Sequence, residues 1–115
     1  MEFDRRYDVL VALDLLSHLS EEQCRAFLQR AREWTGMAIV AVIPSFENDE
    51  EERRHSERSD DQDRSHVTIR QRRWWDALFL ETGWHLDPLQ RLGAEACQRH
   101  AFPQRMGWKV YIYAP

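Results

Sequence analysis

Apolar and polar positions alternate between two periods along the chain, and the switches between them mark its elements. Tyr7-Asp8-Val9-Leu10-Val11-Ala12-Leu13 is short, partly β-branched and apolar at both parities. That pattern predicts a strand covered on both sides of a parallel sheet. Ser20-Glu21-Glu22-Gln23 follows as a capping box, the Ser20 hydroxyl accepting from a first-turn N–H while Gln23 reaches back. Cys24, Phe27, Leu28 and Ala31 then fall at i, i+3, i+4 and i+7, one helical stripe, with Gly36 as the expected stop. A second buried-type strand is predicted from Met37 to Ile43, ended by Pro44. Strand, helix and strand with short joints make a βαβ unit.

Residues 47–65 break the pattern with nine acids, four arginines and no apolar side chain. Their composition predicts a solvated, mobile loop over about 45–65, with a lid over a site as the sharper alternative. Helical spacing resumes from about Gln71 to Thr82, where Trp74, Trp75, Leu78 and Phe79 share a face and Gly83 closes the turn. Trp84 to Leu86 reads as a short strand broken by Pro88, and residues 90–106 as irregular. From Gly107 to Pro115 the chain alternates cleanly, with Trp108, Val110 and Ile112 on one side and Lys109, Tyr111 and Tyr113 on the other. This reads as an antiparallel or edge-adjacent strand, half buried. The expected whole is one α/β domain, a mixed sheet of about four strands with flanking helices.

Composition narrows the chemistry. The 115 residues hold four glycines, no two closer than ten positions, which excludes a G-x-G-x-x-G turn and a phosphate loop. A formal charge of −4 argues against nucleic acid or an anionic membrane held by bulk electrostatics. Cys24 and Cys97 form no motif, and no apolar run approaches a membrane span, so the expectation is a soluble, cytoplasmic chain. His55, His85 and His100 lack ligand spacing, and no metal site is expected. Arg70-Gln71-Arg72-Arg73-Trp74-Trp75 has the residue types of a base-stacking surface. The helical spacing of its tryptophans favours a core face instead, with the arginines pairing to acids of 47–65.

Four stretches together carry a resemblance. They are Tyr7-Asp8-Val9-Leu10-Val11-Ala12-Leu13-Asp14-Leu15-Leu16-Ser17-His18-Leu19, then Ala38 to Pro44, then His66-Val67-Thr68 with Trp74-Trp75-x-x-Leu78-Phe79-x-x-x-Gly83-Trp84, and Trp108 to Tyr113. In this order they resemble the fourth strand, fifth strand, H-V-T…W-W-x-x-L-F block and closing antiparallel strand of class I S-adenosylmethionine-dependent methyltransferases, in a small-molecule subgroup. The resemblance implies a truncated Rossmann-like domain, with the glycine-rich cofactor loop and ribose-binding acid upstream of Met1. Ser17 departs from the glutamate many relatives carry. By resemblance, Ala12, Leu13 and Asp14 line the cofactor's side of the crevice, sheet core or a turn being the alternative for them. His18 and His66 are the candidate bases toward a hydroxyl or amine of a small-molecule acceptor, since imidazole titrates near neutrality. Packing is the alternative for both. A second function class stays open: a non-catalytic module that self-associates, or binds a protein partner, through an unpaired edge strand at 7–13.

Overall fold

A computed structural model describes residues 5–57, 67–86, 88–101 and 108–115. Strand β1 (Tyr7–Leu13) leads through a 3-10 turn (Leu16–His18) to helix α1 (Glu21–Trp34) and strand β2 (Thr35–Pro44). Helices α2 (Asp49–Glu57), α3 (Arg72–Glu81) and α4 (Pro88–Ala101) precede strand β3 (Trp108–Tyr113). The sheet order is β1-β2-β3, with β1 parallel and β3 antiparallel to the central β2.

The α/β class and the antiparallel last strand agree with the sequence reading, but the described sheet has three strands and not four. Trp84–Leu86 contributes only a single bridge, in which His85 and Ala114 exchange two backbone hydrogen bonds of 2.8 and 2.9 Å. Trp84 itself is drawn into the core, its Nε1 donating to the Leu28 carbonyl at 3.0 Å, so the segment serves as an anchor.

Helix α1 begins at the expected box: Gln23 N donates to Ser20 Oγ, and Ser20 N donates to Gln23 Oε1. It does not stop at Gly36. Thr35 turns straight into extended backbone, its Oγ1 donating to the Ala31 carbonyl at 2.6 Å, and β2 starts there. Gly36 lies inside β2, where a Cβ would sit 3.4 Å from the Tyr7 carbonyl oxygen of β1.

Two stretches expected to lack structure are helical. Over Asp49–Glu57 the charges are ordered: Asn48 Oδ1 accepts from Glu51 N, four acids fill the first turn, and Glu50 pairs with Arg54 at 2.7 Å. Acids at the start of a helix complement its dipole, and i,i+4 pairs of this orientation add support. The remainder of the acidic segment, 58–65, lies outside the described residues. In 88–101, Pro88 is the first helical residue, where a missing N–H costs nothing, and so it opens α4 and does not break the chain's order.

Helices α1 and α3 cover one face of the sheet. Ile39, Ala41 and Ile43 of β2 meet Leu28 and Ala31 of α1, Trp75, Leu78 and Phe79 of α3, and Tyr111 and Tyr113 of β3 in one buried cluster. Phe79 stacks on Tyr113 with ring centroids 4.3 Å apart. Each large side chain so buried contributes about 1.5–3 kcal/mol. Helix α4 covers the other face over β3 and β2, where Val42, Val110 and Ala94 pack together. It stops short of β1. The expectation of a first strand covered on both sides is therefore half right: Ala12 is in the core, while Val9, Val11 and Leu13 point to the opposite face, Val11 57 % and Leu13 67 % exposed.

Candidate functional site at the strand ends

In a sheet with parallel strands, the loops leaving the carboxyl ends form the crevice where ligands bind. Here that crevice starts at Asp14. Its backbone N–H donates to the Val42 carbonyl at 2.9 Å, the last rung of the β1–β2 ladder, and its φ of +51° turns the chain sharply out of the strand. Aspartate tolerates this left-handed conformation better than a bulky residue does. Leu16, buried, pins the 3-10 turn that follows, and Cys24 Sγ donates to the Leu16 carbonyl at 3.1 Å.

The turn brings three polar side chains together. Ser17 Oγ donates to Asp14 Oδ1 at 2.9 Å, and His18 Nε2 lies 3.4 Å from Asp14 Oδ2. Asp14 and His18 are partly exposed, whereas Ser17 is fully buried. This is not the relay of a nucleophilic serine, in which imidazole bonds to the hydroxyl. The serine proton is committed to the carboxylate, and the carboxylate orients the imidazole. The group fits a proton acceptor held by an acid, and not an attacking hydroxyl.

The second expected block arrives through the backbone. The Ser17 carbonyl accepts from both Val67 N at 2.7 Å and Thr68 N at 2.9 Å, and Thr68 Oγ1 donates to the Leu19 carbonyl at 2.6 Å. Further along, Phe46 N donates to the Arg70 carbonyl and Arg72 N to the Phe46 carbonyl. Residues 67–72 are thus stitched across the carboxyl ends of β1 and β2.

Of the residues singled out in the sequence, Asp14 and His18 come together. Ala12 and Leu13 do not share a direction: Ala12 is buried among α1 and α3 residues, and Leu13 projects from the other face. At this strand end the polar groups on offer are Asp14 and main-chain atoms, and the two side chains before it contribute no common wall. His66 lies outside the described residues, one position before the bonded Val67. Ser17, noted only as a departure from a family pattern, is the joint of the whole arrangement; burial of a serine is not a property that local spacing reveals.

The basic–aromatic run is consumed internally. Arg72 pairs with Glu47 at 3.0 Å and lies over the Tyr111 ring, Arg73 pairs with Asp49 at 3.1 Å, and Arg70 covers Trp74. Trp75 is fully buried. The pairing of Arg72 and Arg73 with acids of the 47–65 segment follows the sequence expectation, and Arg70 is used on the Trp74 ring instead. Burial, with Glu21 adding to it, pushes the Cys24 thiol up to about 11, so it is inert packing. Among the described residues no group of three or more His, Cys, Asp or Glu is placed to hold a metal ion, and no helix is long and apolar enough to cross a membrane.

No protein-family model matches the chain, and no curated protein matches it.

Proposed function

We propose that this chain is the acceptor-side half of a class I S-adenosylmethionine-dependent methyltransferase domain, directed at a hydroxyl or amine of a small molecule. The observation that carries the reading is the double hydrogen bond from Val67 and Thr68 to the Ser17 carbonyl. It brings two of the four stretches that carry the resemblance, Asp14 to Leu19 and the one containing Val67-Thr68, together beyond the ends of parallel strands. The parallel β1–β2 pair with antiparallel β3 beside it is the arrangement that the fourth, fifth and closing strands would make.

The cofactor, when bound, supplies an electrophilic methyl group on a sulfonium. The contribution of this chain is positional and acid–base. Asp14, fixed by Ser17, holds the His18 imidazole at the crevice and stabilises its protonated form as the acceptor loses its proton. The residues present do not amount to a cofactor cradle: Leu13 faces away, Ala12 is in the core, and the chain has no glycine-rich loop. The cradle has to come from a glycine-rich segment paired alongside β1.

Titration calorimetry tests this directly. The 115-residue chain is expected to show no stoichiometric S-adenosylmethionine binding. Fusion of a glycine-rich methyltransferase half to its N-terminus is expected to restore binding, and His18→Gln in that fusion to slow methyl transfer at least tenfold with binding kept. Tight binding by the chain alone, or a folded fusion that fails to bind, would overturn the reading.

One observation favours a second reading, a non-catalytic module that pairs with another copy or with a protein partner. Among the described residues β1 pairs only with β2, and its outer edge is flanked by the exposed Val9, Val11 and Leu13. Under this reading the chain sediments as a dimer with slowly exchanging amides along 7–13; a monomer with fast exchange there excludes it.

A further inference from the structure

On the far side of the sheet from Asp14, a cleft of about 310 Å3 runs between α3 and α4 over the outer edge of β3. That edge is closed almost everywhere, by two side chains and one backbone bridge. The Gln98 carboxamide donates to the Trp108 carbonyl and accepts from Val110 N, as a neighbouring strand residue would. Arg72 donates to the Val110 carbonyl, and His85 pairs with both backbone groups of Ala114. In an antiparallel strand, alternate residues direct their N–H and C=O to the same side. Ile112 lies midway between Val110 and Ala114, so its N–H and C=O face outward with theirs. Among the described residues these two groups have no partner. The edge has one open rung, and it lies on the floor of the cleft.

The walls add charge. Asp76 accepts from Tyr113 Oη and stands 3.9 Å from Arg91, which is also 3.8 Å from Glu95. Each acid lining the cleft has a cation beside it, since Glu47 takes Arg72. Lys109 is paired with Glu51 at 3.2 Å. Arg99, exposed on α4, is the lining cation that has no acid partner among the described residues. Arg91 serves both Asp76 and Glu95, so the charges around the cleft balance overall. What the cleft presents is one amide-pairing rung and one cation, Arg99, outside any ion pair among the described residues, in a volume at the small end of ligand sites.

We propose that this cleft binds a small secondary amide bearing a carboxylate, either an N-acyl amino acid or the carboxyl-terminal residue of a peptide. The ligand N–H donates to the Ile112 carbonyl, one carboxylate oxygen accepts from Ile112 N–H, and the other oxygen meets Arg99. This is the two-bond exchange of an antiparallel pair, made by one residue. It is a site separate from the Asp14–Ser17–His18 crevice and stands whether or not the chain takes part in methyl transfer.

The test is an amide-resolved NMR titration of the 115-residue chain with four probes: N-acetylglycine, its carboxamide, acetoxyacetate (an ester oxygen in place of the N–H) and acetyl-dialanine with a free carboxylate. N-acetylglycine is expected to move the Ile112 amide resonance in a saturable way. The carboxamide and the ester should each bind at least tenfold more weakly, and Arg99→Ala should weaken the acid to the level of the carboxamide. Tighter binding of acetyl-dialanine than of N-acetylglycine assigns the site to peptide ends, and the reverse assigns it to N-acyl amino acids. Equal shifts from acid, carboxamide and ester, or saturable shifts that leave Ile112 unmoved, would overturn the proposal.

Discussion

Trp84 does two things with one ring. Its indole fills the gap between α1 and α3 edge-on to Phe79, and its Nε1 proton satisfies the Leu28 carbonyl at 3.0 Å. Trp84→Phe keeps an aromatic ring but leaves a void and a buried polar contact unmade. The expected loss is about 2 kcal/mol of unfolding free energy, read from urea midpoints. The two cysteines give a second check at this scale. Cys24 is buried with its thiol held up to about 11, and Cys97 is exposed on α4. At pH 8 an aromatic disulfide reagent should therefore titrate one thiol in the native protein and two in denaturant. Rapid modification of both in the native state would contradict the packing around Leu16 and Leu28.

Helix α2 is held to the body by polar contacts. Gln71 Nε2 donates to Asp49 Oδ1 and Glu52 Oε2, Arg73 pairs with Asp49, and Lys109 pairs with Glu51. Gln71 does not cap α3 with its side chain, so Gln71→Ala removes the tether without unmaking a cap. Amide exchange within 49–57 is expected to accelerate about tenfold while β2 is unchanged, and 0.5 M salt should act in the same direction by screening the pairs. The same helix marks the limit of what the sequence disclosed. β1, β2, β3, α1 and α3 were legible because each buries an apolar set with period 2 or 3.6. In α2 no apolar stripe exists, and the helix rests on the order of its charges, acids first and arginines after, which a composition count erases. In α4, Pro88 and Gly93 read as interruptions, yet one opens the helix and the other faces Ile112 of β3. Asp14 and His18 were legible as candidates from their position at a strand end. The place of Ser17 as the joint was not, because it rests on burial of its side chain against Asp14 and on a carbonyl that residues fifty positions later adopt as an acceptor.

Three buried titratable groups give the whole molecule a common response to alkali. Burial raises Cys24 to about 11, raises Tyr111 above the ordinary tyrosine value of 10.0 despite its hydrogen bond to Ser45, and raises Tyr113, with the Asp76 contact adding to burial. Each group is neutral when protonated, so the fold favours the protonated form. The unfolded chain releases these protons first, beginning near pH 9 for the thiol and pH 10 for the phenols. Stability from this source is complete below pH 9 and falls as pH rises through 9–11 and beyond. Urea midpoints should hold between pH 7 and 8.5 and then drop steadily, with a shallower decline above pH 10 in Tyr113→Phe. A flat profile to pH 11 would contradict the burial of both phenols.

The two margins of the sheet are unequal. Along β3, Gln98, Arg72 and His85 occupy all but a single rung, too little to template a strand. Along the outer side of β1 no further strand pairs among the described residues. Growth by strand addition consequently has a direction and an end: joining two copies through β1 leaves only sealed margins outside, so assembly terminates at a closed pair and does not propagate into a fibre.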